Sequence, residues 1–183
     1  MSVMTIIPDD KDWTWVLSRP CSECGFDAST FPSSQVASLL RTNAAAWAEI
    51  LSAPSDDVRR RPRDETWSTL EYACHVRDVL LLYRLRLGLM LSEENPLYPN
   101  WDQDATALED DYEGQDPTAV SAQLLGAAEA LAEAFDGVTG PQWERTGRRS
   151  DGAEFTVDSF SRYLAHDPVH HFFDVTGRQA ARP

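Results

Sequence analysis

The sequence predicts an all-α protein, a four-helix bundle with long connections and room for a small β-hairpin before the last helix. Four long segments place apolar residues at helical spacing, so each can bury one face against the others. Each of these segments is bounded by residues typical of helix ends, and the stretches between them are polar. With 183 residues, the chain suits a single domain with an ordinary core.

The first two helices are marked by apolar periodicity and by a capping signal. The first is expected over residues 34–53, and Pro54 ends it before a polar linker. The second begins with a capping box, in which Ser68 and Glu71 satisfy each other's backbone amides. It then continues to about Leu91, and a looser stretch rich in proline, aspartate and asparagine follows.

The last two helices have equally clear starts. Asp116 as N-cap, followed by proline, begins the third, which stops at Gly137. The fourth is expected from about Thr156 to about Gly177, and it carries most of the histidines. Between the two, an Asp-Gly pair separates short runs and is typical of a hairpin turn.

These elements predict a bundle domain over residues 34–177. Residues 1–33 are expected to be an N-terminal extension that contains a Cys-x-x-Cys turn, and residues 178–183 a C-terminal tail.

The charge of the chain excludes some partners. Asp and Glu number 30 against 16 Lys and Arg, which gives a net charge of -14 and disfavours nucleic-acid binding. The most apolar stretch, residues 79–91, carries two arginines and is too short to span a bilayer, so no membrane partner is expected. An odd number of cysteines and the absence of a recognisable leader favour a cytoplasmic location.

Histidine is rare in the chain but concentrated in one place. Three of its four histidines fall within HDPVHH, residues 166–171. His166 and His170 share one face of a helix and can hold two positions on a divalent ion. His75, early in the second helix, is the expected third ligand of an open tris-histidine site. His171 points about 100° away and is expected to be a supporting or surface group, although a shift in register would exchange it with His170.

Several other candidate residues have more than one interpretation. Glu71 is a candidate general base, but the capping box uses the same carboxylate. Trp101 is a candidate wall of a ligand pocket or a simple loop anchor. The pair Cys21 and Cys24 suits a local turn, a zinc knuckle or a redox dithiol, while Cys74 is expected in the core. The proline at position 168 is expected to kink the last helix.

The placement of these histidines resembles the DinB-like superfamily of metal-binding four-helix bundles, which includes YfiT-type proteins and mycothiol-dependent maleylpyruvate isomerases. The motifs are WSTLEYACHVRDVL and YLAHDPVHHFFDV, and the resemblance spans about residues 34–177. It implies Zn or Ni bound by His75, His166 and His170, with water or a substrate atom at the open position.

The resemblance also implies a reaction class. The leading hypothesis is a metal-dependent thiol S-transferase or isomerase that uses a mycothiol-type thiol and a small electrophile, and a homodimer is plausible by the same resemblance. The alternatives are a metal-dependent hydrolase and a non-catalytic metal-containing binding or stress-response module.

Overall fold

The computed structural model describes residues 12–178, and it confirms the predicted four-helix bundle. The helices in chain order are α1 (Val36–Leu51), α2 (Ser55–Arg59), α3 (Thr69–Ser92), α4 (Gln103–Glu109), α5 (Pro117–Asp136) and α6 (Val157–Thr176). The strands are β1 (Leu97–Tyr98), β2 (Thr146–Arg149) and β3 (Glu154–Thr156). None of the described helices is long and apolar enough to cross a membrane.

The predicted helix ends are confirmed by their capping bonds. Ser68 accepts a bond from the amide of Glu71, whose carboxylate accepts one from the Ser68 amide at 2.8 Å. Asp116 caps α5 by accepting from the amide of Ala119 at 2.8 Å. Gly177 ends α6 with a φ of 66°, a left-handed conformation that glycine adopts without a Cβ penalty.

The packing of the four long helices brings α3 and α6 into contact. α1 and α3 both pack along α5, and both also contact α6. Fully buried side chains from each fill the space between them, among them Trp47, Leu70, Leu131 and Leu164. Because α3 and α6 are in contact, the histidine early in α3 lies opposite the histidine-rich part of α6.

The hairpin before the last helix is confirmed, and the sheet is larger than predicted. β2 and β3 pair antiparallel, with Gly147 opposite Phe155. β1, from the loose stretch after α3, adds to β2 in parallel, so the sheet has the order β1-β2-β3. The polar connections also contain α2 and α4, short helices that are too brief to show apolar periodicity.

The N-terminal extension contributes to the same core as the bundle. Its 3-10 helix, Trp13–Leu17, packs on α6, and Val16, Cys24 and Phe26 are buried in the shared apolar cluster. Residues 1–11 of the predicted extension, and the predicted tail beyond residue 178, lie outside the described residues.

Candidate metal centres

α6 carries two overlapping pairs of metal-binding side chains. His166 and His170 are one turn apart, and so are Asp167 and His171. Successive residues of a helix are rotated by about 100°, so the two pairs face different directions. The helix runs unbroken through Pro168, whose carbonyl accepts a bond from Nδ2 of the buried Asn43 at 3.1 Å.

The first cluster, here named the cavity cluster, consists of His75 from α3 with Asp167 and His171 from α6. Asp167 Oδ2 lies 3.7 Å from His75 Nε2 and 3.9 Å from His171 Nε2, and the ligand atoms are all within 4.8 Å of one another. These separations are too long for hydrogen bonds. They come close to the ~3.3–3.6 Å between neighbouring donors when N and O ligands surround an ion tetrahedrally at ~2.0–2.2 Å.

The unpaired atoms of the cavity cluster also fit a bound cation. His75 is 1% exposed, and neither of its ring nitrogens has a hydrogen-bond partner among residues 12–178. Asp167 Oδ1 is also buried without a partner in this part of the chain. Buried polar atoms are costly when unpaired, so a cluster of them is compatible with a cation-binding site.

Asp174 orients His171 within the cluster. Its Oδ2 lies 3.0 Å from His171 Nδ1, which leaves Nε2 directed toward Asp167. Ligand histidines commonly bind a carboxylate through their second nitrogen in this way.

The protonation states suit metal ligation. Burial lowers the pKa of His75, and the nearby Asp167 carboxylate opposes this only in part. Burial by itself would raise the pKa of Asp167, but His171 and His75 lower it to about 2. A neutral imidazole and an ionised carboxylate are the ligand forms of these groups.

The cavity cluster lies in the wall of a cavity of about 870 Å³. The Trp101 ring is stacked on His75 with centroids 5.4 Å apart and planes at 14°. Arg86 and Arg149 line the same cavity. His166 and His170 line this cavity as well. Its other side chains are aromatic, aliphatic, acidic or neutral polar and include Trp13, Thr14, Val79, Leu82, Tyr83, Tyr163, Asn100, Asp102, Gln103, Asp104 and Asp151.

The second cluster, here named the cysteine–histidine cluster, consists of Cys21, Cys24, His166 and His170. All four side chains are buried, and their ligand atoms lie within 4.8 Å of one another. The two clusters therefore divide the HDPVHH segment between them.

The sequence profile of the DinB superfamily matches residues 38–172, which is most of the chain. The chain belongs to the DinB superfamily. A relative from Halalkalibacterium halodurans, named as a candidate metal-dependent hydrolase, is 28% identical over 120 residues, which cover 65% of this chain and 69% of the relative. The solved structure of YfiT from Bacillus subtilis, described as a probable metal-dependent hydrolase with an unusual four-helix bundle topology, superposes with a TM-score of 0.71. That match covers 94% of this chain and 91% of YfiT at 19% identity, so it shows the fold alone.

In this DinB-superfamily protein, the structure divides the predicted tris-histidine set between the two clusters. His75 lies in the cavity cluster, whereas His166 and His170 lie with the two cysteines. The predicted set therefore stays a prediction, and the structure brings His75, Asp167 and His171 together as another candidate set. Which side chains of this segment face α3 depends on the rotation of α6, because a change of one residue in register turns the segment by about 100°.

Of the two other candidate residues, Trp101 lies at the cavity of the DinB bundle and Glu71 does not. Glu71 is 3% exposed and does not line the cavity. Its carboxylate accepts bonds from the Ser68 amide and from Arg61 Nε at 3.0 Å, which favours the interpretation as a helix-capping residue over that as a general base. Trp101 does line the cavity, and its Nε1 donates to Thr106 Oγ1 at 2.8 Å, which fixes the ring.

The cysteine–histidine cluster is a candidate site that sequence reasoning does not predict. The spacings C-x2-C and H-x3-H are 142 positions apart (Cys24 to His166), and nothing in the sequence links them. Their combination is the ligand pattern of a zinc site with two cysteines and two histidines.

Proposed function

We propose that this protein is a metal-dependent enzyme of the hydrolase type, in which the cavity cluster holds a divalent ion. The observation that supports this best is the arrangement of His75, Asp167 and His171, three donors at the wall of a cavity. Catalytic zinc sites commonly use three protein ligands, two histidines and a carboxylate among them, and keep one position open. The names of the two similar proteins agree with this function.

A divalent ion held by these residues would lower the pKa of a coordinated water toward neutrality and would polarise a carbonyl or phosphoryl oxygen. The protein residues provide position and charge. Asp174 fixes the ring of His171, and the stacked Trp101 limits the rotation of His75. Asp167 supplies one negative charge, which leaves the open position electrophilic.

Arg86 suggests the chemical class of the substrate. It is 5% exposed, lines the cavity and donates through one terminal nitrogen to the Pro99 carbonyl at 2.7 Å. Its Nε is buried without a hydrogen-bond partner, and no carboxylate forms an ion pair with it, among residues 12–178. Arg149, by contrast, is paired with Asp151. An arginine without a counter-ion in a cavity suits a substrate that carries a carboxylate or phosphate.

The size of the cavity favours a second candidate function, thiol transfer or isomerisation. Its 870 Å³ lies near the upper end of the ~300–1,000 Å³ common for ligand pockets. This leaves room for a bulky thiol of the mycothiol type beside an electrophile. The same ligands, holding Zn or Ni, would then favour the thiolate form of the co-substrate.

The test is turnover of anionic esters, amides and phosphoesters by the full chain loaded with Zn or Ni. The variant H75A should lose at least about 100-fold in turnover, since it removes one of three ligands. The exposed E133Q on α5 is the control with matched loss of charge and should keep full turnover. If H75A kept the turnover of wild type, the proposal would be overturned. Turnover that requires added mycothiol would select thiol transfer over hydrolysis.

A further inference from the structure

The N-terminal cysteines are held in a tight turn. The Gly25 amide donates to the Cys21 carbonyl at 2.9 Å, and the Cys21 amide donates to the Phe26 carbonyl at 2.9 Å. Gly25 has a φ of 72°, a conformation that residues with a Cβ rarely adopt. Cys21 and Cys24 are 2% and 0% exposed, so the turn presents both thiols to the interior.

The two histidines of α6 meet these thiols. The rings of His166 and His170 have centroids 4.9 Å apart, and both side chains are buried. His170 Nδ1 lies 3.7 Å from Cys21 Sγ. His166 Nε2 is buried and has no hydrogen-bond partner among residues 12–178. Four donors thus converge from two segments that are far apart in the sequence.

We propose that Cys21, Cys24, His166 and His170 form a closed, structural zinc site, separate from the cavity cluster. Two sulfur and two nitrogen donors in this number and spacing are the ligand set of structural zinc. The 3.7 Å between Cys21 Sγ and His170 Nδ1 agrees with the ~3.3–3.8 Å between neighbouring donors of a tetrahedral site with ~2.0–2.3 Å bonds. All four positions are taken by protein, so the ion has no place for substrate.

The charges around the cluster suit a divalent cation. Two thiolates would neutralise the ion, and zinc binding would release their protons. Glu23 and Asp174 carboxylates lie 3.7 and 3.8 Å from His170 Nε2, on the nitrogen opposite the one that faces Cys21. They favour the tautomer in which Nδ1 is the ligand.

The site would hold a wall of the cavity in place. The Trp13 ring lies 5.4 Å from the ring of His166 and 5.0 Å from that of His170, and both Trp13 and Thr14 line the cavity. His166 and His170 also line the cavity, so zinc at the cysteine–histidine cluster would anchor the N-terminal segment over α6 and hold this part of the cavity wall in place.

The experiment uses the full chain purified anaerobically without added metal, and measures metal content and the mass of the cysteine peptides. Wild type is expected to hold one equivalent of zinc more than the double variant C21S/C24S. The matched control is C74A, which removes a buried thiol outside both clusters and should leave the metal content unchanged. Equal metal content in wild type and C21S/C24S would overturn the proposal, and so would a Cys21–Cys24 disulfide in the isolated protein.

Cobalt replacement gives a measurement that does not depend on a variant. Wild type reconstituted with Co²⁺ should show a sulfur-to-cobalt charge-transfer band together with the intense visible bands of a tetrahedral ion. The cavity cluster contains no sulfur, so H75A should keep the sulfur band while losing one equivalent of metal. Wild type without a sulfur band would refute the structural site. A sulfur band without a second equivalent of metal would support the structural site at the cysteine–histidine cluster and contradict the proposed function of the cavity cluster.

Discussion

Replacing Asp174 tests how His171 is held in the cavity cluster. The D174A variant removes the carboxylate that lies 3.0 Å from His171 Nδ1 and 3.8 Å from His170 Nε2, but it leaves the proposed ligands of both clusters in place. The bond is half-buried, with the two side chains 16% and 25% exposed, so solvent replaces it incompletely. Carboxylates in this position typically contribute 10- to 100-fold to metal affinity, which corresponds to about 1.4–2.7 kcal/mol.

The assay is a competition titration of zinc against a fluorescent chelator, with the full chain at fixed pH and ionic strength. D174A should bind the more weakly held equivalent about 10- to 100-fold less tightly than wild type. D174N keeps an oxygen acceptor, so its zinc affinity should lie between that of wild type and that of D174A. E133Q removes a similar charge from an exposed position on α5, so it controls for the change in net charge. A change below about 3-fold in D174A, relative to E133Q, would refute the role of this bond in orienting His171.

Three further predictions concern the fold that supports the site. E71Q removes the charge paired with Arg61, and it should lower the free energy of unfolding by about 2–3 kcal/mol in urea denaturation while metal content stays unchanged. Because Arg61 and Ser68 lower the pKa of Glu71 against the effect of its burial, this difference should be complete above the ordinary pKa of about 4.3 and disappear as the pH falls below the folded value. D116A removes the N-cap of α5 and should cost about 1 kcal/mol by the same measurement, and an unchanged urea midpoint would contradict the capping role. G147A would place a Cβ 2.7 Å from Met90 Cγ and 3.0 Å from Tyr98 Cε1, so it should cost about 1–3 kcal/mol, and a variant as stable as wild type would show that this contact relaxes freely.

Helix boundaries could be predicted from the sequence because capping is a local interaction. Ser68, Asp116 and Thr156 each bond to an amide three residues ahead, so the signal and its effect lie in the same turn. Strand β1 could not be predicted in this way. It consists of two residues, and it is defined by pairing with β2, about 50 positions away.

The choice among candidate metal ligands could not be made from the sequence for a different reason. His75 and the segment 166–171 are recognisable because histidine is rare in the chain. Which pair of that segment faces α3 depends on the rotation of α6, which the packing of side chains such as Phe160 and Leu164 sets in three dimensions. The position of the N-terminal turn over the other face depends on the folding of a loop, and apolar periodicity contains no information about it.

The interleaving of the two clusters on α6 restricts how this scaffold can diversify. Neighbouring positions 166 and 167, and again 170 and 171, belong to different clusters, so any insertion, deletion or rolling of α6 would disturb both at once. New substrate preferences are therefore expected to arise from cavity residues outside this helix, in the Asn100–Asp104 segment and at the tip of the hairpin near Gly152.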